Sequence, residues 1–412
     1  MGLFAKIKEK GLVGCAVSIR YRIIKKYNNF LIKMYSDLPI DEHSIVLESE
    51  GDCCDNAYAL YDYMKQNGYV GKYKITWLVE HPENFRDEKS VKYVKKSIDY
   101  NFAINTIKAL STCKWYIYDH CNVMSDYEKK QGQTFVYLSH GCGYKASKGS
   151  SLTKCKSRYD YTMSTGPMSA EKLSRYWGMP LEYSIITGYP RLDYLFQKND
   201  DVDKKVDDKW NFNLYKKIFF WMPTFRQSSS KYLSEDYIQN ETGLPIFETN
   251  ESLKEFDEFL ASINSLVVFK IHHLQAELPV FSIKFQNIII IKDEDLQAMD
   301  IQLYQIIHRA DTMISDYSSI SIDYLIVNRP IIYTLDDYEQ YDKSRGFDPP
   351  NAIDFMPGHH VYNSQELKNS IKEIVQGIDR FSNERKKIIN LYHKYQDGDS
   401  SLRILNFLNI NL

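Results

Sequence analysis

Residues 312–325 read TMISDYSSISIDYL. Thr312 to Ser315 has the length and apolar centre of a buried strand, and the stretch that runs on through Leu325 is helical in character. Between them stands Asp316-Tyr317-Ser318-Ser319, a turn rich in groups that accept from the first free N–H groups of a helix. Such a helix start also attracts phosphate through its unpaired N–H groups and its dipole, and the hydroxyls add donors. Capping accounts for one of these residues but not for the whole run. A strand that passes through a polar turn into a helix is the repeating unit of a parallel α/β sheet.

The same unit recurs to either side. In the first half, short buried strands are expected at 44–48 (SIVLE), 74–79 (KITWLV), 114–118 (KWYIY), 134–138 (TFVYL), 159–163 and 183–187. In the second half they are expected at 217–222 (KIFFWM), 266–271 (LVVFKI), 287–291 (NIIII), 312–315 and 330–334. Helix-length segments such as 56–66 separate them. The chain has 412 residues, more than a single core usually organises. The expected fold is therefore α/β, with two Rossmann-like domains facing across a cleft. Their spans are 37–200 and 209–412, joined by the charged stretch 199–208 (NDDVDKKVDD) as linker. Open sheets of this kind bind ligands beyond the carboxyl ends of their strands, so chemistry is expected in the loops that follow strands.

Composition narrows the function. Lys+Arg 52 against Asp+Glu 54 gives a formal charge of -2, so no basic field marks a nucleic-acid partner. Apolar stretches such as 285–291, itself interrupted by Gln286 and Asn287, fall far short of the ~20 residues that cross a bilayer. No cleavable signal is visible, and a cytoplasmic protein is expected. The seven cysteines form no C-x-x-C pair and are odd in number, which suits buried thiols rather than disulfides or zinc. Residues 1–36 stand apart, with eight basic residues and one acidic residue. Ile19, Ile23, Tyr27, Phe30 and Met34 recur at helical spacing on one face, and Arg20, Arg22, Lys25, Lys26 and Lys33 mostly flank or oppose it. Two readings stay open for this segment: a helix in the interface of an anionic membrane surface, or a helix packed on the first domain.

Several strand exits carry reactive groups. Ser139-His140-Gly141-Cys142-Gly143 follows a strand, and a neutral imidazole there can accept a proton. Lys270-Ile271-His272-His273 makes an anion-binding corner. Pro223-Thr224-Phe225-Arg226 sets a hydroxyl and a guanidinium past a strand, and the planar fork of Arg suits phosphate. Residues 336–348 lead to Arg345-Gly346-Phe347, and the Pro–Arg turn of 188–193 reads as structural. No P-loop, G-x-G-x-x-G, H-E-x-x-H or G-x-S-x-G is present, which weakens kinase-like, dehydrogenase, zinc-protease and hydrolase readings.

Taken in order, these segments resemble the CDP-glycerol glycerophosphotransferase family, enzymes that build teichoic acids and related capsular polymers. The likeness rests on His140-Gly141, Gly188-x-Pro190-Arg191-x-Asp193, Pro223-Thr224-x-Arg226, Lys270-x-His272 and the run Ser315 to Ser319 with Asp323-Tyr324 beyond it. It continues through Arg329-Pro330, then Asp337, Tyr341 and Arg345 to Phe347, and ends on Asp397-Gly398, Ser400 or Ser401, and Arg403. His273 stands where members usually have Pro, Asp348-Pro349-Pro350 replaces an aromatic-rich stretch, and residues 356–360 replace Pro-Gly-Pro. These departures bear on the donor more than on the fold.

The resemblance implies a GT-B-type transferase, with an acceptor domain at 37–200 and a CDP-donor domain at 209–412. The donor would be CDP-glycerol or another CDP-alditol, and the acceptor a polyprenyl-linked glycan at the inner face of the cell membrane. Catalysis would fall to His140 and His272, with His140 taking the acceptor proton. Thr224, Arg226, Lys270, Asp316, Ser318, Ser319, Arg329 and Arg345 would bind the donor. No cofactor is implied, and protein cations rather than a metal would stabilise the leaving phosphate. Three alternatives remain: transfer of ribitol phosphate, a nucleotide-sugar glycosyltransferase, and a non-catalytic membrane scaffold.

Overall fold

The computed structural model describes residues 3–96, 101–119, 127, 129–146, 159–224, 241–270 and 283–412. The first sheet comprises β1 (Asp41–Glu48), β2 (Lys74–Val79), β3 (Val91–Lys95), β4 (Cys113–Tyr118), β5 (Thr134–Tyr137), β6 (Tyr161–Ser164) and β7 (Ser184–Ile186). The second comprises β8 (Lys217–Trp221), β9 (Ser265–Lys270), β10 (Ile288–Ile291), β11 (Thr312–Ser315), β12 (Ile331–Thr334) and β13 (His359–Val361). Their orders are 3-2-1-4-5-6-7 and 10-9-8-11-12-13, and every pairing is parallel. Each is the Rossmann order, which reverses direction beside its first strand and opens a crevice there. The switch points lie between β1 and β4, and between β8 and β11.

All eleven expected strands are present. The sequence reading passed over β3 and β13, and both are sheet edges. An edge strand need not be apolar on both sides. Accordingly β3 reads VKYVK and is only half-buried. Central strands show the opposite. Ile45 and Leu47 of β1 pack with the helix Asp55–Gln66 on one face, while Val46 packs with Ile107 and Leu110 on the other. Covering both faces explains why SIVLE has no polar alternation.

Two segments depart from expectation. The stretch 199–208 is not a linker but most of a helix, Asp200–Trp210. Asn199 caps it by accepting from the N–H groups of Asp201 and Val202, and three aspartates occupy its first turn, where they suit the helix dipole. Val202 and Val206 form the buried stripe against Phe212 and Phe220, so the charges simply face solvent. The second departure is the return of the chain to the first domain. In the helix Ser400–Phe407, Ile404 and Leu405 join the first core, with Leu408 and Ile410 beyond. Asp193 fastens this return by accepting from the N–H groups of Ser400 and Ser401, both at 2.8 Å.

Ahead of β1 runs a 33-residue helix, Leu3–Tyr35. Ile24, Asn28 and Leu31 are its buried face. Asn28 donates to the carbonyl of Asn101 and accepts from the N–H of Ala103, locking the helix to the first domain. Among the described residues no helix is long and apolar enough to cross a membrane.

Gly188 has φ +88°, and a Cβ built on it would lie 2.3 Å from Ser400 Oγ and 3.0 Å from Ser400 Cβ. Gly188→Ala should lower Tm by several degrees, about 2 kcal/mol of strain and overpacking, in a thermal unfolding scan. An unchanged Tm would mean that the C-terminal helix contributes little to holding the fold.

Candidate active site

The first domain brings its polar groups to the carboxyl ends of β1, β4 and β5. Ser139 has φ +66° and Gly141 φ +117°, a sharp reversal pinned by Asn56, whose amide donates to the Ser139 carbonyl at 2.9 Å. That turn holds His140 with its side chain 55% exposed. His140 Nδ1 lies 3.2 Å from Asp55 Oδ2 and 3.5 Å from Glu50 Oε2. Burial alone would lower the imidazole's affinity for protons. The hydrogen bond and charge of Asp55, and then the charge of Glu50, outweigh it and raise the pKa above the usual 6.5. The tautomer that Asp55 selects carries hydrogen on Nδ1 and leaves the lone pair on Nε2.

A second layer holds these carboxylates. Asp119, past β4, accepts from the N–H of Glu50 at 3.1 Å and from that of Ala57 at 2.9 Å. Lys96 donates to the carbonyls of Ser49 and Glu50. Arg191 Nη1 meets Asp55 Oδ1 at 2.7 Å, and Nη2 reaches the His140 carbonyl at 3.2 Å and Asp323 Oδ2 at 2.7 Å. Asp55 is thereby held well below the usual carboxylate range: burial would raise it, but Arg191 and His140 more than offset that. Asp55, Glu50 and Arg191 were missed as site residues in the sequence. The usable signal was position, since Glu50 and Asp55 directly follow β1 at its switch point. The Pro–Arg turn read as structural in fact carries the guanidinium that joins the two domains.

In the second domain, Ser318 stands at the N-cap of the short helix Ser319–Tyr324. Asp316 is fully buried and accepts from the Thr224 N–H, the Thr224 hydroxyl at 2.7 Å and the Ser318 N–H at 3.1 Å. It ties the loop after β8 to the loop after β11, so its carboxylate shapes the site. Lys270, the last residue of β9, pairs with Asp293 at 2.9 Å. Arg345 follows the helix Tyr338–Ser344 and is exposed. Arg329 is a correction: its guanidinium donates to the carbonyls of His308 and Ala310, at 2.6 and 2.7 Å. Those groups precede β11, roughly 15 Å from its carboxyl end, so Arg329 clamps the amino end of a central strand and does not reach the site. Arg226 and His272, with His273, lie outside the described residues.

The two domains meet at the His140 turn. A Cβ added to Gly141 would lie 3.0 Å from Ser319 Oγ, and one on Gly143 would lie 3.1 Å from the Ser319 nitrogen. Only glycine allows that approach. Beyond the turn, Lys145 bridges antiparallel to Phe347, Ala146 donates to the Gly346 carbonyl, and Asp348 donates to that of Tyr144. Lys172 closes the seam by donating to the carbonyls of Gly143, Lys145 and Asp348. Arg-Gly-Phe is thus brought against the segment that follows His140. Among the described residues, no group of three His, Cys, Asp or Glu side chains is arranged to hold a metal ion.

Two Rossmann-like domains, with an imidazole–carboxylate pair on one side of the seam and a hydroxyl-bearing helix start on the other, define a GT-B-type transferase. A profile of the CDP-glycerol:poly(glycerophosphate) glycerophosphotransferase family matches residues 30–409, and the chain belongs to that family. The teichoic acid poly(glycerol phosphate) polymerase of Bacillus spizizenii is 24% identical over 95% of this chain and 100% of its own length. The polymerase of that name from Bacillus subtilis is 25% identical over 91% of this chain, which spans 50% of that longer protein. The solved wall teichoic acid polymerase TagF shares the fold, with TM-score 0.71, 22% identity and 96% of both chains covered.

The placement of Arg329 is testable. Arg329→Ala should leave the donor KM within about twofold while lowering Tm by a few degrees, since two carbonyls lose their partner. A tenfold rise in KM at unchanged Tm would return Arg329 to the donor site.

Proposed function

We propose that this chain transfers glycerol phosphate from CDP-glycerol to a hydroxyl of a lipid-linked glycan or growing polyol-phosphate polymer, releasing CMP, in teichoic acid or capsular polymer synthesis. Membership of the family supports the donor and the reaction type. The observation that carries the reading is the closure of the His140 turn onto Ser319, so that the imidazole assigned as base and the helix start assigned to the donor phosphates share one seam. In the reaction, the acceptor oxygen bonds to the glycerol-bearing phosphorus while the bond from that phosphorus to the CMP oxygen breaks. The acceptor proton passes to His140 Nε2, and Asp55 and Glu50 stabilise the imidazolium. Such a step depends on alignment and charge stabilisation. Ser318, Ser319 and Arg345 are assigned to the donor, with Arg226, Lys270 and His272 around its phosphates. Thr224 and Asp316 hold the loops that present them.

A CMP-release assay with CDP-glycerol, CDP-ribitol and UDP-sugars on a lipid-linked acceptor tests this. CDP-glycerol should be the preferred donor, and His140→Ala should lower turnover by about 10²–10⁴-fold. The base must be neutral to work, so kcat/KM should fall as pH drops through a value above 6.5. Near-normal turnover in the variant would reject the base, and preference for a UDP-sugar would reject the reaction.

The same reading places the enzyme at the cytoplasmic face of the membrane, where its acceptor lies. Ile19, Ile23, Phe30 and Met34 form an exposed stripe beside the packed face of the first helix. Tyr27 links that stripe to exposed Phe102, ring to ring at 5.2 Å, with exposed Ile104 beyond. With Val17, this region holds seven of the sixteen exposed large apolar side chains among the described residues. Arg20, Arg22, Lys26 and Lys33 are exposed on the same helix, and each basic residue near an anionic surface adds about 1 kcal/mol. The helix packs on the first domain with one face, and the exposed stripe is assigned to lipid. Replacing Ile23 and Phe30 together by Glu should reduce sedimentation with phosphatidylglycerol vesicles at least about tenfold. Unaltered sedimentation would reject the membrane surface as partner.

A further inference from the structure

Arg191 is the only group in direct contact with both His140's carboxylate partner and a carboxylate of the other domain among the ion pairs of the described residues. Its side chain is 5% exposed and that of Asp323 is 2% exposed, so neither is solvated in any useful degree. Asp323 lies on the helix that begins at Ser319, and its Oδ2 also accepts from the Tyr304 hydroxyl at 2.5 Å. The Tyr304 ring stacks under the guanidinium at 4.8 Å, and that of Tyr189 at 5.6 Å. Hydrogen bonds therefore run unbroken from Tyr304 through Asp323, Arg191 and Asp55 to His140.

Two carboxylates share one guanidinium in this chain. Whatever Asp323 takes of Arg191, Asp55 has less of, and the charge that Asp55 keeps is what stabilises a protonated His140. The Tyr304 hydroxyl acts one step further back, since its hydrogen bond weakens the hold of Asp323 on Arg191. The other charged groups near His140 are Glu50, at 3.5 Å, and Asp119 behind Asp55. Cys142 and His393 lie within electrostatic reach of Asp323. None of these bridges the domains through Arg191.

We propose that Asp323 and Tyr304 are positioning residues for His140, setting through Arg191 how much of the Asp55 charge the imidazole feels. The base is then strongest when the donor domain is seated on the acceptor domain. Separation of the two would turn Arg191 wholly to Asp55 and weaken the imidazole. This rests on His140 being the base, and the test separates the two claims.

The test follows the His140 imidazole by NMR of the full chain labelled at histidine, together with the pH profile of CMP release. Asp323→Asn should lower the His140 pKa by about half a pH unit or more, because the neutral amide releases Arg191 to Asp55. Tyr304→Phe should raise it, because Asp323 then draws Arg191 harder. Opposite shifts, with the acid limb of kcat/KM following each, support the proposal. A seam loosened without such coupling moves both variants the same way or neither, and either result overturns it. If Asp323→Asn does not fold, the sign of the Tyr304→Phe shift decides alone. Opposite imidazole shifts with an unmoved acid limb would support the coupling and overturn His140 as the base.

Discussion

The arrangement depends on one buried cation held between two buried anions from different domains. Removing Arg191, Asp55 and Asp323 from water costs several kcal/mol per ion, and their attraction repays it only when geometry and hydrogen bonding are close to complete. Here the guanidinium donates to both carboxylates and to the His140 carbonyl, and aromatic faces of Tyr189 and Tyr304 lie close by. Such a group contributes less to net stability than an apolar core of equal volume. Its contribution is registration, because a displaced domain would leave a charge buried without a partner. That penalty fixes where the His140 turn lies against the helix that begins at Ser319.

Around this centre several of the family's motifs meet. Gly141 and Gly143 let backbone approach backbone, and Arg345-Gly346-Phe347 supplies the strand that pairs with 144–146. Phe347 is backed by Tyr317, Tyr338 and Tyr341, with ring centroids 4.7 to 5.5 Å away. Asp193 and Gly188 receive the returning C-terminal helix. Of the Ser315 to Ser319 run, Asp316 ties two loops together, and Ser318 and Ser319 stand at the start of the helix that meets the His140 turn.

The first helix joins this chemistry to its surroundings. One side chain row carries Ile24, Asn28 and Leu31 into the first domain, and the neighbouring row, about a third of a turn round the helix, leaves Ile19, Ile23, Phe30 and Met34 exposed. The exposed basic residues Arg20, Arg22, Lys26 and Lys33 lie on the flanks of the outward face.

The sequence by itself determined the two-sheet α/β architecture, because central parallel strands are covered on both faces and appear as uninterrupted apolar runs such as SIVLE and NIIII. It also determined His140 and Ser318-Ser319 as site candidates, because glycine and hydroxyl residues at strand exits have few other reasons to occur together. It did not determine β3, β13 or the helix Asp200–Trp210, where edges and solvent-facing charge dilute the apolar signal. Nor did it separate Arg191 from Arg329, two arginines beside prolines with the same local chemistry. Tertiary structure decided that one bridges two carboxylates across the seam while the other clamps carbonyls at the amino end of a central strand. The physical reason is that a guanidinium's role is set by the anions it meets, and those anions come from residues more than a hundred positions away in the chain.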